Sequence, residues 1–277
     1  RRTDAPCAAR RPASAAPCAR IAAARSDAPM ILRRILLLFA LSIGPATAGA
    51  AGGTLVDVQP TRLHLTAGRS CVLTVTNVGA EPVRFEIFAH GWRQADDGGI
   101  ELVPTRDVAF YPSLLEIPPG TSRPIRVGVT ARPRDREATY RLVVRQMPAA
   151  AQTTGTALRI LTEMSIPIFV APPGGARAVP GIEPGVVEDG KLRFRLFNTG
   201  DASYRAQRVE VRLLGDRGEE LERRELPGWY VLARGTLRRE LEIPQEHCPG
   251  LREVRIEVEI EGHEPIRARQ PLRCTPP

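Results

Sequence analysis

Between Leu158 and Val170 the chain reads Leu-Arg-Ile-Leu-Thr-Glu-Met-Ser-Ile-Pro-Ile-Phe-Val, with Leu158, Ile160, Met164, Ile166, Ile168 and Val170 alternating and only Thr162 breaking the apolar row. A period of two with one apolar face is the pattern of a strand. At about 3.3 Å per residue the run would extend about 43 Å, whereas strands usually stop after about 5 or 6 residues. One small core cannot cover all of it, so part of the row must meet a second domain or another chain.

Shorter alternating runs recur on both sides of this one: Val72–Val75, Val83–Phe88, Ile125–Val129, Tyr140–Arg145, Leu192–Phe197, Val209–Leu213, Leu237–Ile243 and Val254–Ile260. Turn signals such as Pro118-Pro119-Gly120 and Asp189-Gly190 separate them, and almost nothing reads as helix. Short strands at this spacing predict β-sandwiches. Pro172-Pro173-Gly174-Gly175, with Pro180 and Pro184 close behind, is the best boundary, because proline cannot continue a central strand. Strand-like segments ending in Asn77-Val78-Gly79 and in Asn198-Thr199-Gly200 suggest two related domains, 54–172 and 181–277, joined by a linker at 173–180.

Residues 1–48 are set apart from this fold. Met30 is followed by Arg33-Arg34, an apolar run from Ile35 to Ile43 and the small-residue site Ala46-Thr47-Ala48, the order of a secretory signal peptide over 30–48. Residues 1–29 then read as sequence upstream of the true start. Residues 1–48 hold eight arginines and two aspartates, so the remainder has 31 basic and 29 acidic residues and its net charge falls from +8 to +2. A nucleic-acid footprint loses its support, and no segment reads as a stable membrane insertion. Of the cysteines that remain, Cys248 and Cys274 flank the last hairpin and are candidates for a disulfide in an exported protein, leaving Cys71 as a small buried residue.

Several segments together resemble a known family. Val58-Gln59-Pro60-Thr61-Arg62-Leu63, Ile117-Pro118-Pro119-Gly120, Tyr140-Arg141-Leu142, Ile166-Pro167-Ile168-Phe169-Val170 and Gly228-Trp229-Tyr230-Val231-Leu232 are similar, in order and spacing, to segments of the periplasmic pilus-assembly chaperones of the chaperone-usher pathway. The branch serving spore-coat-U-like subunits is the nearest in pattern. The resemblance implies an all-β protein of two immunoglobulin-like sandwiches in tandem, set at an angle. It further implies that pilus or adhesin subunits are bound and capped by the final strand of the first domain and then delivered to an outer-membrane usher.

Carried over residue by residue, the resemblance makes Arg62 the anchor of the subunit's terminal carboxylate. Leu158, Ile160, Thr162, Met164 and Ile166 become the strand residues entering the subunit groove. Pro167 stands where many relatives keep a lysine, which leaves Arg141 or Arg145 as auxiliary cations. Glu137 matches one member of an interdomain charge cluster, but Ala171 replaces its arginine, so that cluster is not carried over. A second copy of the chain capping the same edge is the other partner this strand admits.

Catalytic and metal patterns do not compete with this reading. The four histidines have no HxH or HExxH spacing, and no serine lies in a Gly-x-Ser-x-Gly elbow. Trp229 and Tyr230 are expected to pack in the second-domain core. No enzyme, cofactor or metal is expected. The remaining alternative is a secreted adhesin or structural protein of two immunoglobulin-like domains.

Overall fold

The computed structural model describes residues 55–95, 99–148 and 160–274. The expected upstream extension and signal peptide, and Leu158, lie outside the described residues.

The first sandwich is built from β1 (Val56–Gln59), β2 (Leu63–Thr66), β3 (Ser70–Asn77), β4 (Val83–Gln94), β5 (Ile100–Pro104), β6 (Val108–Tyr111), β7 (Leu114–Ile117), β8 (Ser122–Val129), β9 (Ala138–Gln146) and β10 (Glu163–Ala171). One sheet has the order β1-β3-β8-β6, and the facing sheet the order β2-β10-β9-β4-β5, with β7 also on β4. β1 and β2 belong to different sheets, so the chain crosses the sandwich at Pro60-Thr61-Arg62. Alternation supplies the core: Leu63, Leu73, Phe85, Ile125, Leu142 and Ile168 are fully buried between the sheets. At about 1.5–3 kcal/mol for each such side chain, this burial is the main force holding the two sheets together.

The second sandwich comprises β11 (Pro180–Glu188), β12 (Lys191–Asn198), β13 (Tyr204–Leu214), β14 (Glu220–Pro227), β15 (Tyr230–Val231), β16 (Thr236–Glu242), β17 (Glu253–Ile260) and β18 (Ile266–Pro271). Its sheets have the orders β11-β12-β16 and β14-β13-β17-β18, with β15 on β13. Leu192, Phe194 and Leu196 face Val209, Val211, Ile256 and Val258 across its core. Cys248 and Cys274 are joined by a disulfide, and Cys71 is buried in the first core.

The repeated Asn-x-Gly has a structural cause. In each domain the asparagine is buried: its Oδ1 accepts from the N–H of the glycine two residues on at 3.0 Å, and its Nδ2 donates to the carbonyl four residues on at 2.7 Å. Nδ2 also donates to a more distant carbonyl, that of Ile117 for Asn77 and that of Leu232 for Asn198, each at 3.0 Å. One amide thereby satisfies backbone groups that water does not reach. Asn198→Ala leaves several of them unpaired and is expected to lower stability by about 2–4 kcal/mol. A urea-denaturation midpoint unchanged from wild type would show that the loops hold without the amide.

The long strand is shorter than its sequence pattern. β10 begins at Glu163, and Ile160, Leu161 and Thr162 precede it in irregular conformation. Its partner strand β9 ends at Gln146, two residues before Pro148, which has no N–H to extend the ladder. The last link is made by Gln146, whose N–H donates to the Thr162 carbonyl at 2.8 Å while its Oε1 accepts from the Thr162 N–H at 3.0 Å.

Candidate functional site

β10 is paired unequally along its two sides. β9 runs antiparallel to it from Glu163 to Val170, but β2 runs parallel to it only from Ile168 to Ala171, with Leu63 opposite Ile168. Among the described residues no strand pairs the outer side of Glu163–Pro167. An unpaired edge presents backbone donors and acceptors ready to take another strand. Backbone groups of successive residues point to opposite sides of a strand, so every second residue of this stretch faces the open side, and Pro167 contributes no N–H.

The apolar row divides along this strand. Ile166 is buried in the first core with Ile168 and Val170, which corrects its expected role as a groove residue: the facing sheet already covers it. Met164 is half-buried at the margin of that core, and Thr162 is half-buried just ahead of the strand. Ile160 is 75% exposed, an apolar side chain past the end of the core that its own domain provides.

Arg62 lies where the free edge ends, one residue before β2 takes over as the neighbour of β10. Its Nη1 and Nη2 donate to Oε2 and Oε1 of Glu261 at 2.7 and 2.6 Å, a two-pronged pair reaching from the first sandwich to the residue that follows β17 in the second. The Arg62 guanidinium holds the Glu261 carboxyl below its ordinary range, with smaller help from Arg205 and His64. His64 stacks on Phe169 at 5.2 Å, and burial pushes its pKa down.

Arg141 sits directly across from Pro167 in the β9–β10 register. It is only 6% exposed; its guanidinium lies 3.7 Å over the Trp92 ring, and Nη1 donates to the Ser165 carbonyl at 3.2 Å. Its Nη2 is buried with no hydrogen-bond partner, and burial lowers its pKa. Arg145, the other auxiliary candidate, is half-exposed and pairs with Glu163 at 2.6 Å over the face of Phe88.

Aromatic packing joins the sandwiches behind these cations. Trp92 and Phe169 of the first domain bury against Leu232 and Tyr230 of the second, which corrects the expectation that Tyr230 packs in the second-domain core. Trp229 is partly exposed and edge-on to Tyr230, so it is not a core residue either. Gln94 clips the junction through its side-chain amide, accepting from the Leu232 N–H at 3.0 Å and donating to the Tyr230 carbonyl at 3.2 Å. Glu137 accepts from the Ser203 N–H at 2.8 Å, and its burial raises its pKa.

Sequence reasoning brought Arg62 and Arg141 forward but missed Glu261, Tyr230, Gln94 and Arg205 as members of this junction. Only the Gly-Trp-Tyr motif marked Tyr230. Glu261 carries no signal that separates it from the other glutamates on alternating strands.

The Arg62–Glu261 pair has a defined pH dependence. A carboxyl whose folded pKa is depressed contributes stability above its unfolded pKa and loses it as the pH falls through the folded value. The melting-temperature gap between wild type and Arg62→Met should therefore be present at about pH 7 and close below Glu261's ordinary value of 4.5. A gap unchanged to about pH 3 would mean that the pair does not stabilise the folded chain.

Comparison with known proteins bears on the fold that carries these residues. Residues 55–176 match the family model of pili and flagellar-assembly chaperones, PapD N-terminal domain. No curated protein matches the chain in sequence. The solved chaperone–tip adhesion subunit pre-assembly complex from archaic chaperone-usher Csu pili of Acinetobacter baumannii contains a chain 16% identical, with a TM-score of 0.54, covering 80% of this chain and 100% of that one. The Salmonella enterica SafA pilin–SafB chaperone complex contains one 17% identical, with a TM-score of 0.49, covering 79% and 98%. The first sandwich thus matches this family's model, and the two-sandwich fold is shared with the chain in the Csu pre-assembly complex.

Proposed function

We propose that this chain is a pilus-assembly chaperone that acts in the periplasm, where it holds incomplete immunoglobulin-like pilus or adhesin subunits along the free edge of β10 and hands them to an outer-membrane usher. The observation that carries the reading is the change of neighbour along β10: its outer side is open at Glu163–Pro167 and occupied by β2 from Ile168, with Arg62 at the junction. A client strand lying on the open part, with its terminal carboxylate on Arg62, runs towards β2 and hence parallel to β10. Strand addition of this kind is the established mode of chaperone–pilin recognition, in which main-chain hydrogen bonds supply affinity and alternate side chains supply specificity.

The side chains fit that division. Ile160 enters the client's groove, where its burial contributes about 1.5–3 kcal/mol before association costs. Thr162 and Met164 line the transition to the chaperone's own core, and Leu158 extends the row upstream. A guanidinium suits the carboxylate role because it stays charged and offers paired donors. Arg141, across from Pro167, is the second cation near the edge, in the place of the lysine of many relatives. Export is assigned to the 30–48 leader, and the spore-coat-U-like class of client follows the sequence resemblance.

The test is co-expression with a subunit encoded beside this chain. The subunit should be recovered soluble and in complex only when the chaperone is present. Equal recovery without it would refute the assignment and favour the two-domain adhesin.

A further inference from the structure

Arg62 is already engaged. Each of its terminal nitrogens donates to one oxygen of Glu261. One guanidinium fork seats one carboxylate in this two-pronged geometry, so a second carboxylate cannot take the same donors while Glu261 holds them. We propose that Glu261 is a resident stand-in for the client's terminal carboxylate, which occupies Arg62 in the free chaperone and is displaced when a subunit binds. This rests on the reading of Arg62 as the client anchor.

The surroundings provide for the exchange. Glu261 follows β17 and precedes Gly262, and its backbone N–H is tied to the Arg205 carbonyl at 3.0 Å, so its main chain is held at this position. Arg205 Nη1 lies 3.9 Å from Glu261 Oε2 and offers a waiting partner for the displaced carboxylate. Arg205 and Arg141 each lie 5.9 Å from the Tyr230 ring centroid, so cationic groups gather on this side of the junction. The exchange also trades an interdomain contact for a client contact, because Arg62 and Glu261 belong to different sandwiches. When a competing strand removes the client, Glu261 returns to the fork and competes with rebinding.

The experiment measures binding to the full chain of a short peptide of alternating valine and serine with a free terminal carboxylate, and of the same peptide with a terminal amide. Glu261→Gln keeps the side-chain shape but removes the competing charge. It should bind the carboxylate peptide about tenfold more tightly than wild type, the factor expected if Glu261 occupies the fork about nine-tenths of the time. Affinity for the amide peptide should not change. Equal tightening for both peptides overturns the proposal, since a loosened domain junction would act on either. Unchanged affinity for the carboxylate peptide, with Arg62→Ala still weakening it, overturns displacement and leaves Arg62 as the anchor. Indifference of both peptides to Arg62→Ala, or no binding to any variant, overturns the anchor reading and the stand-in with it.

Discussion

Arg62→Ala is expected to cut recovery of a co-expressed subunit by at least about 30-fold, because truncating one partner of a desolvated, hydrogen-bonded charge pair costs about 2–5 kcal/mol. The chain itself should stay folded. In the free protein the Arg62–Glu261 pair is about a third exposed on each side, and pairs of that kind stabilise by at most about 1 kcal/mol. The cores centred on Phe85 and Phe194 do not involve it. Arg145→Ala is the matched control: it removes another guanidinium paired with a carboxylate at 2.6 Å, but one half-exposed on the outer face beside Glu163. Its effect on recovery should stay within about twofold. Normal recovery with Arg62→Ala, in a chain whose melting temperature is close to wild type, would remove Arg62 from the site.

The second large effect is expected at a residue that contributes little to the chaperone's own stability. Ile160 shares its parity with Met164, Ile166 and Ile168, but it lies beyond the end of the first-domain core and is largely exposed. If a client extends β10 upstream on binding, Ile160 enters the client's interior and Leu161 faces outward. Ile160→Asp should then weaken client protection by about 10- to 100-fold, the equivalent of the about 1.5–3 kcal/mol lost from one buried apolar side chain. Leu161→Asp should change it by less than about threefold, and neither should shift the melting temperature by more than a degree or two, as is usual for surface substitutions. Equal losses from both would contradict the parity.

The sequence made the sandwich class legible wherever one face of a strand is buried. β3, β4, β8, β12, β13, β16 and β17 each coincide with one of the alternating runs, because the period-two signal reports burial on a single side, while β9 is buried on both faces from Tyr140 to Val144. The signal fails where that burial is weak. β14 reads Glu-Leu-Glu-Arg-Arg-Glu-Leu-Pro and is an edge strand held by pairing with β13 rather than by an apolar face. β11 contains Pro180 and Pro184, which read as linker; it too is an edge, and its register shifts between Glu183 and Val186 to accommodate the irregularity.

The candidate site was legible in part for a related reason. Arg62 stands out only through the family resemblance, whereas the apolar row stands out by itself because it is longer than one core can cover. The end of the strand at Glu163 was not legible, since it is fixed by where the partner β9 stops. Glu261 was hidden because its importance comes from a contact 199 residues away in sequence, which no local pattern encodes.

Hydrogen exchange of the chaperone alone and in complex with a subunit tests the central claim most directly. The backbone amides within Glu163–Ile166 that point away from β9 should gain protection on complex formation, while those of Ile168–Ala171, already flanked by β2 and β9, should change little. Protection gained at another edge, such as β6 or β14, with Glu163–Ile166 unchanged, would contradict it.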